Sequence, residues 1–287
     1  MKKVIINADD FGLCHGVNQG IILAHQKGIL TSATLMANTP GFEEAVELSQ
    51  ENKKLGVGIH LNIVRGEPLL AADKVKTLLN SEGLFFSSVF LLLRKLVSKK
   101  INLQDIEREF RAQIEKTLKA GITPSHFDSE KHIHCFPSIF KIVLKLGKEY
   151  GIRKVRYINE YCFSLRNFRT ANSFFLSLFC ALMKKKVRES GLVITDRFYG
   201  ICNRGYMSAQ KLKKILANLD EATAEIMVHP GYITQELKDL ERLVGSYYVN
   251  KYRERELEAL LDAELKEIVQ SQKIQLINFN ELKGHGK

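Results

Sequence analysis

The sequence predicts an α/β chain folded as an irregular (β/α) barrel, and three observations lead there. Short β-branched runs alternate with helical stretches along the 287 residues, the β-α-β-α-β order of a parallel sheet with helices outside. About eight strands can be counted this way, enough to close or nearly close a barrel. The third is where the ionisable residues fall. Asp9 and Asp10, His60, the 126–134 stretch, Asp196 and His229 each stand at the carboxyl end of an expected strand, the face on which parallel barrels assemble their sites.

Val4-Ile5-Ile6-Asn7-Ala8 is the first strand, and it stops at Asp9-Asp10-Phe11-Gly12. A helix over 17–27 follows, with Val17, Ile21 and Ala24 on one face and Gly28 at its end. Residues 31–36 read as the second strand, 42–50 as a helix and 56–62 as the third strand. The rhythm then breaks over 65–100, an expected insertion with a Phe/Leu-rich piece and a basic tail. An amphipathic helix resumes over 103–120, with Ile106, Phe110, Ile114 and Leu118 at helical spacing.

A strand over 122–128 leads into the histidine-rich segment, and a helix covers 139–150. Strands are expected at 153–158, 192–196, 224–229 and 274–279, and helices at 174–183, 211–219 and 253–270. A second insertion is expected near 160–190. No repeat, low-complexity segment or linker divides the chain, so it reads as a single domain over 1–287.

Hydrophobic content of 45% with 26% charged residues excludes disorder as an explanation. The net charge of +11 points to an anionic partner such as membrane lipid, a phosphorylated sugar or nucleic acid. The basic residues are scattered without a nucleic-acid motif, so no nucleic acid is expected. Five cysteines form no CxxC pair and read as free thiols in a reducing compartment. The apolar stretch after Met1-Lys2-Lys3 is too short for a secretory signal, and no run reaches the ~20 residues of a membrane span, so a cytoplasmic location is expected.

Two adjacent aspartates repel, and a cation beside them relieves this, with one as ligand and one as base. Alternatively Asp9 and Asp10 cap the helix that follows. The segment from Ser125 to His134 is denser. In an extended chain His126, Asp128, Glu130, His132 and His134 would share a face, which favours a metal or catalytic site over five structural residues. His60, between Ile59 and Leu61, and His229, before Pro230-Gly231, each keep a structural reading beside the functional one. No GxSxG elbow, Walker loop or HExxH helix is present, and no spacing suggests a paired cysteine thiolate.

Taken together, Asn7-Ala8-Asp9-Asp10-Phe11-Gly12, Gly58-Ile59-His60-Leu61-Asn62, His126-Phe127-Asp128-Ser129 with His132-Ile133-His134, and Val228-His229-Pro230-Gly231 resemble the YdjC-like carbohydrate deacetylases. The resemblance implies a deformed (β/α) barrel akin to the polysaccharide deacetylases. It also implies removal of acetyl groups from N-acetylated amino sugars with a divalent metal. Carried over residue by residue, it implies Asp10 and His60 as metal ligands, Asp9 as general base and His229 as general acid. His126, Asp128, His132 and His134 then orient the substrate or support the ligands. The family's third ligand is usually a histidine two positions after the aspartate of His-x-Asp; here it is Glu130. Two carboxylates and one imidazole favour Mg²⁺, with Mn²⁺, Fe²⁺ or Zn²⁺ as alternatives. His132 or His134 can instead be the third ligand, or the metal can be lost, leaving a carbohydrate-binding relative.

The pieces at 84–100 and 174–188, Phe/Leu-rich with basic tails, suggest either a cationic rim for a lipid-linked amino sugar at an anionic membrane or a packed surface such as a homodimer interface.

Overall fold

The computed structural model describes residues 2–160, 168–202 and 207–284. The elements run β1 (Lys3–Phe11), α1 (His15–Lys27), β2 (Ser32–Leu35), α2 (Phe42–Glu51), β3 (Gly56–Leu61), α3 (Val89–Val97), α4 (Leu103–Lys119), β4 (Phe127–Ser129) and α5 (Pro137–Tyr150). They continue with α6 (Phe168–Ser190), β5 (Arg197–Tyr199), α7 (Ala209–Ala217), β6 (Thr223–Val228), α8 (Gln235–Asp239), α9 (Glu241–Val244), α10 (Tyr252–Leu261), α11 (Ala263–Ser271) and β7 (Gln275–Leu276). The strands are all parallel, in the order β4-β3-β2-β1-β6-β5, with β7 beside the start of β1.

This ladder curls into a half-barrel, and irregular backbone spans the remaining side. Phe127 and Lys154, Arg156 and Phe127, Val193 and Arg153, and Val155 and Val193 are linked by backbone hydrogen bonds of 2.8–3.3 Å. The strands expected at 153–158 and 192–196 are therefore isolated bridges. The one expected over 122–128 shrinks to Phe127–Ser129 and the last to Gln275–Leu276, so seven strands rather than eight are regular among the described residues. Asp196 precedes β5 and bonds Thr223 at the start of β6, which puts it at the amino end of the sheet instead of the mouth. The helix expected over 253–270 breaks at Asp262, whose side chain caps α11 through the Glu264 amide.

The alternation of strand side chains sorts the core. Val4, Ile6 and Ala8 of β1 join Val57, Ile226 and Val228 in one apolar layer under the helices. Ile59 and Phe127 join a second layer with α4, α5 and α6. The opposite faces of the same strands carry Asn7, Asp9, His60, Asp128 and Glu225, all buried. Ile5 with Ile277, Phe279 and Leu282 closes the bottom. The barrel interior is thus apolar below and polar above.

The insertion over 65–100 folds as two single-turn 3-10 helices and α3. The second expected insertion contains α6, and its residues 161–167 lie outside the described residues, as does Cys162. Cys14, Cys135 and Cys180 are free and buried, whereas Cys202 is in a disulfide, against the expectation of five free thiols. Among the described residues no helix is long and apolar enough to cross a membrane.

Candidate metal centre and active site

A regular strand would send Asp9 and Asp10 to opposite faces. The register of β1 against β2 shifts between Ala8 and Phe11, and Asp10 takes a left-handed φ of 71°. This bulge turns both carboxylates to the mouth, and aspartate is among the residues that tolerate that conformation. β3 brings His60 to the same height. The kinked 3-10 segment from Glu130 to Cys135, with positive φ at Lys131 and His132, brings Glu130.

Three side chains meet there. His60 Nε2 is 3.8 Å from Asp10 Oδ1 and 3.5 Å from Glu130 Oε2. One ligand atom from each lies within 4.8 Å of the others, and all three residues are buried. These separations are too long for strong hydrogen bonds and suit donors arranged around one cation with ligand distances of about 2–2.5 Å. The donor set, two carboxylate oxygens and an imidazole nitrogen, fits a divalent ion.

The second group that could hold an ion, Asp9, His60 and Asp128, is already saturated. Arg156 bonds both oxygens of Asp9 at 2.6 and 2.8 Å, Asp128 Oδ2 at 2.8 Å and Glu225 Oε1 at 2.8 Å. It is fully buried, and those carboxylates outweigh burial to hold the guanidinium well above its usual range. Asp128 Oδ1 accepts from His60 Nδ1 at 2.8 Å, and Thr34 Oγ1 donates to Asp128 Oδ2 at 3.1 Å. Burial raises Asp128, but Arg156 and His60 prevail and keep it ionised. A carboxylate on Nδ1 fixes the imidazole orientation and turns Nε2 to the ion position.

His229, at the end of β6, places Nε2 3.9 Å from Asp9 Oδ2 and Nδ1 3.7 Å from Glu256 Oε2. The turn after it packs tightly: a Cβ on Gly20 of α1 would sit 2.5 Å from Gly231 Cα. Asp9, Asp10, His60, Asp128, Glu130 and His229, picked from the sequence, are thus gathered at one mouth.

The other histidines are not. His126 stacks on Phe279 with ring centroids 3.5 Å apart, in space that a Cβ at Gly58 would fill. Burial, with Arg156 nearby, holds it well below the usual histidine range, so it is neutral. His134 bonds Ser129 Oγ at 2.6 Å and the Arg156 carbonyl at 3.1 Å, and burial brings its pKa to about 4. It pins the exit loop to the irregular wall. His132 lies edge-on to His134 and Phe198.

Sequence reasoning missed the cations: Arg156, Arg253 bonded to Asp10 Oδ2 at 2.6 Å, and Arg65 bonded to Glu130 Oε1 at 3.0 Å. One signal was available. Glu225 interrupts the apolar strand Ala224 to Val228, and a lone charge in such a run asks for a buried partner. Burial raises its pKa to about 7 in spite of Arg156.

A model of the family described as YdjC-like protein matches residues 3–271. The chain belongs to the YdjC-like family. Within it, the chain is similar to a carbohydrate deacetylase of Brevibacillus brevis, 38% identical over 98% of this chain and 99% of the relative. It is 37% identical to a carbohydrate deacetylase of Clostridium beijerinckii, over 98% and 100%. A crystal structure of an Enterococcus faecalis V583 protein, described in terms of cellobiose-phosphate cleavage, superposes with a TM-score of 0.76 at 28% identity, covering 98% of both chains. The YdjC-like half-barrel is therefore a fold shared with a solved structure over nearly its full length.

Proposed function

We propose that this chain is a metal-dependent carbohydrate deacetylase that hydrolyses the acetamide of an N-acetylated amino sugar. The observation that carries the reading is the convergence of Asp10, His60 and Glu130 beside Asp9 and His229 at one buried mouth. The relatives' names, carbohydrate deacetylase, support an acetylated carbohydrate as the substrate, and the N-acetylated amino sugar is the finer reading. The whole chain is taken as one domain.

Asp10, His60 and Glu130 would hold the ion, and Mg²⁺ is the assignment because two of the three donors are hard carboxylate oxygens. The chemistry supplied there by a bound divalent ion is polarisation of the amide carbonyl and acidification of water. Asp9 takes the proton from the attacking water. The bidentate Arg156 holds it in place for this. His229 gives a proton to the departing amine, and Glu256 accepts from its backbone N–H at 2.5 Å, fixing the end of β6. Asp128 orients His60.

A lipid-linked or membrane-proximal sugar is the finer assignment. Phe90 and Val97 of α3 are 77% and 83% exposed, and Phe175, Leu178 and Leu182 of α6 are exposed beside Lys184, Lys185 and Lys186. Neither helix contains an acidic residue before Glu189. Flotation with anionic vesicles at low salt tests this; absence of binding removes the membrane, and a dimer in solution would give these faces to a second copy. A cytoplasmic location belongs to the same reading, supported by three free thiols and opposed by the disulfide at Cys202.

The deciding experiment is acetate release from N-acetylhexosamine glycans and glycolipids after chelation and reconstitution with Mg²⁺, Mn²⁺, Co²⁺ or Zn²⁺. Release that depends on the ion is expected. An ion-loaded protein that binds these sugars without releasing acetate would be a carbohydrate-binding relative.

A further inference from the structure

Each ligand carboxylate is shared between an arginine and the ion position. Asp10 gives Oδ2 to Arg253 at 2.6 Å and turns Oδ1 to His60 Nε2. Glu130 gives Oε1 to Arg65 Nε at 3.0 Å, with Lys131 Nζ 3.5 Å from the same oxygen, and turns Oε2 to His60 Nε2. We propose that Arg65 is the positioning residue for Glu130: it occupies one oxygen so that the other alone faces the ion, and it supplies the counter-charge that a second buried carboxylate at this site requires. The inference rests on the reading of Asp10, His60 and Glu130 as ion ligands.

The physical case has three parts. Two carboxylates turned to one nitrogen inside a buried site repel each other, and removal from water magnifies that repulsion. Arg65 sits where it offsets this on the Glu130 side, as Arg253 does on the Asp10 side. Secondly, glutamate has three side-chain torsions and can chelate with both oxygens or swing away. A guanidinium on Oε1 removes both options, and Lys131 alone, on a flexible stem, would not. Thirdly, Arg65 is itself anchored. Its Nη1 donates to the carbonyl of Val244, the last residue of α9, and only 13% of its side chain is exposed. It therefore spans from the ligand to the backbone carbonyl that closes α9. The Arg65 cation also repels an incoming ion, so charge alone would make its removal tighten binding. Orientation outweighs charge where the ligand is flexible, as loss of such supporting partners typically weakens metal binding about 10–100-fold.

The test measures Mn²⁺ binding to the full chain after chelation, by calorimetry and by the spin-resonance signal of free Mn²⁺, with no substrate present. Arg65→Met is expected to weaken binding about tenfold or more, and Arg65→Lys to restore part of it. In an Glu130→Gln background, where no second carboxylate needs holding, Arg65→Met should change affinity less than about twofold. The visible absorption of bound Co²⁺ gives a second readout, and decides alone if Glu130→Gln binds no Mn²⁺. Arg65→Met should lower its intensity as Glu130 closes on the ion with both oxygens. Equal Mn²⁺ affinity in Arg65→Met and the parent, an equal loss in both backgrounds, or an unchanged Co²⁺ spectrum would overturn the assignment of Arg65. A parent chain that binds no divalent ion would instead overturn the ligand reading, and ion binding without acetate release would overturn only the proposed reaction.

Discussion

His60 Nδ1 lies 2.8 Å from Asp128 Oδ1, so the imidazole is held from behind by a buried carboxylate while Nε2 faces Asp10 and Glu130. Asp128→Asn keeps the shape of this contact and removes its charge. We expect Mn²⁺ affinity to fall about 10–100-fold, as measured by calorimetry, with the fold retained by circular dichroism. Unchanged affinity would mean that Asp128 serves Arg156 and not the ligand.

The proton-transfer residues should separate from the ligands. Asp9→Asn and His229→Ala are each expected to lower kcat by about 10²–10⁴ while a stoichiometric metal remains bound. Elemental analysis alongside acetate release checks both halves. Activity retained in either variant takes that residue out of the mechanism.

Arg156 is the cation shared by Asp9, Asp128 and Glu225, which come from three strands. Removing it leaves three buried carboxylates without their common partner. Arg156→Met should therefore destabilise the protein by about 3–5 kcal/mol in urea unfolding. Arg156→Lys, which keeps the charge but loses the fork, should cost less. A stability change within about 0.5 kcal/mol for Arg156→Met would show that those carboxylates are already neutral in the fold.

Metal binding should depend on pH through His60. Burial lowers its proton affinity, but Asp128 and Glu130 outweigh burial and raise its pKa well above 6.5. An ion on Nε2 displaces that proton, so affinity should rise with pH, about tenfold per unit, until the raised pKa is passed. Without an ion the sign for stability is opposite. The protonated His60 contributes stability in full below about 6.5, and that contribution is lost as pH rises through the folded value. Mn²⁺ titrations and thermal melts of the chelated protein from pH 5.5 to 9 measure both slopes. A flat affinity profile would place the bound proton elsewhere.

Much of this architecture is legible in the chain. The β-branched runs at Val4–Ile6 and 56–61 became β1 and β3, because apolar strands buried under helices have one low-energy arrangement. The wall at 153–156 and 193 was less legible as to type. It carries only a few backbone bonds, and residue patterns do not distinguish two bridges from a ladder. The break at Asp262 was signalled by a capping residue inside an otherwise continuous helical pattern.

Asp10, His60 and Glu130 could be picked out one at a time, since ionisable side chains at strand ends are costly to bury without a task. Which of them meet was settled by long-range geometry. A bulge at Asp10 turned two neighbouring carboxylates to one side, and the stacking of His126 on Phe279 withdrew a histidine that strand phase alone had grouped with Asp128. The guanidiniums of Arg65, Arg156 and Arg253 arrive from segments that no local pattern links to the mouth. Identity and order along a strand are local properties. The pairing of a buried charge with its partner is a property of the closed fold, because only there does the loss of water make an unmatched charge too costly to keep.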